Sequence, residues 1–304
     1  MPVPDSPNFD RASTRQARTG NLHAYISKSR VMEYAKNPKH FHIKYVLGIR
    51  EPTNHWMIRG SEVHLAIENY YLNVLERFED EGEIDDDLIS YLPEDVTMWA
   101  RWTEPFISNF LAFETDRLRE CRRKGDESLF LPIEVEAEIW DWRGDDDVPL
   151  MGFADVVLHA ASLSAVDSDD GVVIIDHKTG KVPDPKYRDD GIFLELEYYN
   201  FLFGDQYDVA AIAGYYPGFN ELLIGELSDE RLAEIERIIS EIETLGKNPE
   251  DYPIKQGPLC CWGKEPEKQS SYYGICPCNW ATPGGPGPTY RDADKQPFSE
   301  HAVE

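Results

Sequence analysis

Little cysteine, no long apolar stretch and a shortage of basic side chains set the first limits on this chain. Cysteine occurs five times in 304 residues; so small and odd a number excludes a disulfide scaffold, and a reducing, cytoplasmic compartment is the expectation. No run of roughly 18 apolar residues is present, and the polar first 22 residues contain no apolar leader segment, so neither membrane spanning nor secretion is expected. Lys and Arg number 30 against 57 Asp and Glu, for a net charge of −27. That balance excludes nucleic-acid binding by bulk charge, which needs clustered cations, but not binding at a local site. An acidic surface of this kind suits a salt-rich cytoplasm.

What is present is enough for a core, with 41% hydrophobic residues. One interval reverses the charge: from His23 to Arg50 the cations Lys28, Arg30, Lys36, Lys39, Lys44 and Arg50 face Glu33 alone. Residues 1–22, with three prolines and no periodicity, read as a flexible arm. Ser27 to Tyr45 reads as helix interrupted at Asn37-Pro38, and a second helix from about Ile58 carries Val63, Ala66, Ile67, Tyr70 and Val74 at the 3.6 period. Within 79–125, a helical insertion, the aromatics Trp99, Trp102, Phe106, Phe110 and Phe113 fall at helical spacing and are expected in the core. The period then shortens to two. Ile133, Val135, Ala137 and Ile139 alternate with Glu134, Glu136, Glu138 and Trp140 as a half-buried strand, followed by strands at Leu150–His159 and Val172–Lys178. A helix near Asp190–Phe203, strands at Val209–Tyr216 and Glu221–Leu227, and a helix from Asp229 capped by Ser228 complete the order. The Pro/Gly-rich end, 281–304, is expected to be a disordered tail.

Chemistry concentrates at the tips of two strands. In Val172-Val173-Ile174-Ile175-Asp176-His177-Lys178 an apolar run ends in charge, and the two-residue period sends Asp176 and Lys178 to one side with His177 away from them. Asp155 interrupts the preceding apolar strand. Two carboxylates at neighbouring strand ends stay ionised cheaply when a cation lies between them, and a hard divalent ion, Mg²⁺ or Mn²⁺, fits oxygen ligands. Phosphodiester hydrolysis follows as the expected reaction, with Lys178 orienting the nucleophile or offsetting charge on phosphorus, and His64, four residues before Glu68 on the helix, completing the metal shell.

The same residues make the chain resemble the RecB-type branch of the PD-(D/E)xK nucleases, which includes phage and viral exonucleases and CRISPR-adaptation nucleases. Gly60, His64 and Glu68 match its Gly-x-x-x-His-x-x-x-Glu pattern, Gly152 to Asp155 its Gly-x-x-Asp, and Asp176-His177-Lys178-Thr179-Gly180 its Asp-Tyr-Lys-Thr-Gly, with His in place of Tyr. Tyr199 matches the later Gln-x-x-x-Tyr, in which Glu195 replaces Gln; Ser29, Tyr34, Pro38, Phe41 and Tyr45 match the first helix. The resemblance implies an α/β, restriction-endonuclease-like core of helix, three strands, helix and strand, with an N-terminal helical insertion and a C-terminal helix plus a cysteine-containing segment. It implies a nuclease domain over 23–280 with the cysteine segment at 255–280. It also implies a metal held by His64, Asp155, Asp176 and the main-chain carbonyl of His177, water activated by Lys178, and DNA contacts from Tyr199 and the Glu195 position, to which Lys28, Arg30, Lys36 and Lys39 would add a basic guide. Many members of the family that the chain resembles hold an iron–sulfur cluster through one cysteine in the first helix and three near the C-terminus. Here Asn37 stands at the first-helix position, while Cys260, Cys261, Cys276 and Cys278 lie close together, for a cluster, a zinc ion or neither. The expected activity is a divalent-metal-dependent DNA exonuclease working in recombination, repair or CRISPR adaptation, with proteins of those pathways as partners. The alternative is a catalytically weak DNA-end-binding partner in such a complex.

Overall fold

The computed structural model describes residues 6–50, 53, 55–94, 105–255 and 276. They fall into two compact units, one of Met1–Pro52, Trp142–Leu150 and Glu234–Glu304, the other of Thr53–Asp141 and Met151–Ala233.

In the first unit the expected flexible arm is a helix, α1 (Pro7–Thr19). The prolines misled because Pro7 occupies the first turn, where its missing N–H and fixed φ help a helix to start, while the Ser6 hydroxyl accepts from the amide of Asn8 at 3.3 Å. Phe9 and Ala12 are buried, and Arg15 donates to the carbonyls of Arg143, Gly144 and Asp147, which ties the helix to the 142–150 turn. After β1 (Ile26–Ser27), α2 (Lys28–Lys36) stops at Asn37, whose extended backbone satisfies the restriction imposed by Pro38. The Asn37 side chain then accepts from the amides of Lys39 and His40 and starts α3 (Pro38–Phe41), which runs on as a π-turn through Val46.

The second unit is built on α4 (His55–Glu81), α5 (Phe106–Lys124), β2 (Pro132–Asp141), β3 (Leu150–His159), β4 (Val172–His177), α6 (Leu194–Phe203), β5 (Val209–Tyr216) and β6 (Glu221–Gly225). The strands form a mixed sheet in which β2 pairs with β3, β3 with β4 antiparallel, β4 with β5 parallel and β5 with β6 antiparallel. The parallel pair needs a crossover, and α6 supplies it. Every residue of β4 is buried, as the unbroken apolar run from Val172 to Ile175 requires of a central strand. The expected core order of helix, three strands, helix and strand is therefore present as α4, β2–β4, α6 and β5. α7 (Asp229–Thr244) follows, with the Ser228 hydroxyl accepting from the Arg231 amide.

Three boundaries move. β4 ends at His177 and β6 at Gly225, and α6 is entered through a π-turn, Asp189–Phe193. The aromatic helix begins at Phe106; Trp99 and Trp102 lie outside the described residues. Phe110, Leu118 and Cys121 of α5 pack with Tyr70, Tyr71, Val156 and Tyr215 in one cluster, so the helix is part of the core, as the spacing of its aromatics predicts. Inside, Arg117 and Glu114 form a fully buried pair at 2.7 Å, completed by the Tyr71 hydroxyl, the Phe130 carbonyl and Ser162. Gly171 opens β4 with φ +81°, and a Cβ there would sit 2.5 Å from the Asp208 carbonyl oxygen; the next residue, Val172, donates to that same oxygen at 2.8 Å.

Candidate active site

All the residues that carry the expected chemistry lie in the second unit. β3 brings Asp155 and β4 brings Asp176 to the same end of the sheet, because the antiparallel register sets Val156 opposite Ile175. Asp155 Oδ2 accepts from the His177 amide at 2.6 Å, and the ring nitrogens His64 Nδ1 and His177 Nδ1 lie 3.4 and 3.5 Å from it. The His177 ring thus turns from Lys178 as the strand period requires, yet stays within reach of Asp155, packed among Tyr71, Phe110 and Tyr215.

Lys178 Nζ stands between two carboxylates, 2.6 Å from Asp176 Oδ2 and 2.7 Å from Glu195 Oε1. Asp176 and Lys178 do project together. The second oxygen of Asp176 accepts from the Tyr199 hydroxyl at 3.2 Å. Tyr199 is only 1% exposed and its hydroxyl is turned inward: one turn after Glu195 on α6, it braces the acid that holds the lysine. Glu195 likewise faces a cation, the Lys178 ammonium, which offsets its charge.

Sequence reasoning missed Glu136. It belongs to the run Glu134, Glu136, Glu138, which alternation assigns to the outside of β2. Its backbone φ is +48°, however, in the left-handed region that a glutamate rarely enters. His64, Glu136 and Asp155 each offer a ligand atom within 4.8 Å of the other two. The only sequence signal was a carboxylate-rich strand beside the one that bears Asp155, and that signal does not single out position 136.

The electrostatics agree with a site shaped for a cation. Burial, then the charges of Asp155 and Glu68, push the Glu136 carboxyl up to about 7. Burial also raises Glu68, with Asp155 adding to it. For Asp155 burial works upward, but the charge of His64 and hydrogen bonds from His177 and His64 outweigh it and hold the group well below the carboxylate range. His64 is the mirror case: burial disfavours its charge, yet Asp155, then Asp176 and Glu136, raise it to about 9. One ring nitrogen and two carboxylate oxygens are a donor set that fits Mg²⁺ or Mn²⁺, the nitrogen leaning toward Mn²⁺.

The profile of the PD-(D/E)XK nuclease superfamily matches residues 25–263. The chain belongs to that superfamily. As a member it is a metal-dependent nuclease with the mixed α/β core described above, and divalent ions serve the superfamily's chemistry. No curated protein matches the chain.

The remaining expected residues are placed as follows. Arg30 lies over the rings of Tyr25 and Tyr45 and donates to the Tyr25 carbonyl, and Lys39 donates to the Pro249 carbonyl at 2.5 Å, all within the first unit. Lys28 and Lys36 belong to α2 of that unit. Cys276 is buried; Cys260, Cys261 and Cys278 lie outside the described residues. Among those residues no helix is long and apolar enough to cross a membrane.

Proposed function

We propose that the chain is a DNA exonuclease of the RecB-type branch, acting on DNA ends in recombination, repair or CRISPR adaptation. The observation that carries the reading is the adjacency of two groups at one sheet end: His64, Glu136 and Asp155, and the line Asp176–Lys178–Glu195 braced by Tyr199.

In this reading His64, Glu136 and Asp155 hold the metal, with Asp176 and the His177 carbonyl as the further ligands that the resemblance implies. When bound, the ion polarises the scissile phosphate and lowers the pKa of its water. The chain's own residues do the rest. The His177 amide fixes the rotamer of Asp155. Asp176 and Glu195 hold the Lys178 ammonium at a set point, from which it orients the attacking water or offsets charge as it grows on the phosphate.

End-labelled linear DNA and a closed circle, incubated with the full chain and Mn²⁺, test this. Stepwise loss from the ends, an intact circle, abolition by chelator and a drop of at least about 100-fold in Lys178→Ala are expected; no metal-dependent product, or full activity in Lys178→Ala, defeats it. The clamping of Lys178 by two carboxylates favours a second reading, a catalytically weak DNA-end-binding partner. Wild-type protein that binds ends but cleaves nothing with any divalent ion, and an Asp176→Ala variant that binds as well, would select that reading.

A further inference from the structure

The first turns of α4 present an aromatic and a cation beside the active site. Trp56 is 58% exposed, flanked by exposed Met57 and Ile58, with the His55 ring 4.3 Å away. The Arg59 guanidinium lies 4.7 Å from the Trp56 ring centroid and 4.7 Å from that of Phe106, and it donates to the Thr179 carbonyl at 3.0 Å. Thr179 directly follows Lys178. Gly60 lets the helix come this close, since a Cβ there would lie 3.1 Å from Thr179 Oγ1. Trp56, Gly60 and His64 recur every four residues, on one side of α4, so the exposed indole lies roughly 12 Å along the helix from His64. That is the length of about three stacked nucleotides at ~3.4 Å each.

Arg59 is the telling residue. In a chain with a net charge of −27, no carboxylate among the described residues pairs with it, and its Nε is buried without a hydrogen-bond partner. Fixed by two rings and one carbonyl, it keeps donors for an anion at the edge of the site. An indole face and an unsatisfied guanidinium side by side are what a single strand recognises: base on ring, phosphate on cation. A fully paired end keeps its bases paired and offers only the outer face of its last pair, so a base must first fray for ring and cation to hold base and phosphate together.

We propose that Trp56 and Arg59 grip the unpaired end of a DNA strand, Trp56 stacking on a base and Arg59 contacting a nearby phosphate, so that frayed or single-stranded ends enter before blunt ones. The grip rests on the nuclease reading for its role but is measured separately from it. Fluorescence anisotropy in chelator, with labelled oligothymidylate and a labelled blunt hairpin, reads binding by the full chain; cleavage of the same two DNAs in Mn²⁺ reads selection. Trp56→Ala is expected to weaken oligothymidylate binding by between about fivefold and about 150-fold and to leave the hairpin nearly unchanged, while Trp56→Phe stays close to wild type. Arg59→Gln is expected to lower the salt slope for the single strand by about 0.7. Cleavage by wild type with unchanged single-strand affinity and unchanged substrate ratio in Trp56→Ala overturns the grip and leaves the nuclease standing. Binding through Trp56 with no cleavage in any divalent ion overturns the nuclease and leaves the grip.

Discussion

Glu136 holds a left-handed backbone conformation that costs of order 1–3 kcal/mol for a side chain of its kind, next to two other carboxyl groups. Strain and crowding of this sort persist at functional sites, and here they aim a carboxylate at His64 and Asp155. Glu136→Asn, which tolerates the conformation and carries no charge, is expected to raise the metal-free melting midpoint and to weaken Mn²⁺ binding at least tenfold by titration calorimetry, while Glu134→Gln changes neither. Unaltered Mn²⁺ affinity in Glu136→Asn would remove the residue from the metal group. A second residue reports through pH. His23, buried against Phe41, has its pKa lowered to about 4 by burial and by the charge of Arg30. Because the unfolded chain takes up the proton first, its contribution is complete above about pH 6.5 and is lost as pH falls toward 4, by up to about 3 kcal/mol. Denaturation curves of wild type and His23→Phe should therefore converge in slope above pH 7 and separate below 6; parallel curves throughout would contradict the assignment.

At the scale of elements, α5 is held by an ion pair with no access to water. Arg117→Met strands the Glu114 carboxylate and is expected to cost about 3–5 kcal/mol in urea denaturation, whereas Glu114→Gln with Arg117→Met keeps an acceptor for Tyr71 and should recover at least half of that. Equal losses in the single and double variants would show that the charge itself is not the problem. Elements whose pattern is local were legible in the sequence: Leu150–His159 and Val209–Tyr216 follow from apolar runs bounded by turn residues, and α7 from Ser228 and its isoleucine stripe. α1 was legible too, through Ser6 and Pro7, but proline density masked the cap. Asp176 beside Lys178 follows from the two-residue period alone. Glu136 does not, since its φ reverses only through packing that alternation cannot encode, and neither does the tie between Tyr199 and Asp176, which depends on how α6 meets the sheet.

For the whole molecule, charge is the dominant fact. A net charge of −27 spread over 304 residues repels itself, so the melting midpoint is expected to rise by several degrees between 0.05 and 1 M KCl as screening shortens the Debye length from about 14 Å to about 3 Å. A flat profile would mean that the unpaired acids stand too far apart in water to repel one another measurably. The division into units has its own weight: every proposed catalytic group comes from the unit of Thr53–Asp141 and Met151–Ala233. Within the catalytic unit, the alignment of the reacting groups depends on a residue with no side chain. Gly171 seats β4 on β5, and a slide of one position would carry His177 to where Asp176 now stands. A single codon change five residues upstream of the acid could thus silence the enzyme while sparing every group that touches the substrate, and an inventory of reactive side chains alone would pass such an allele as intact.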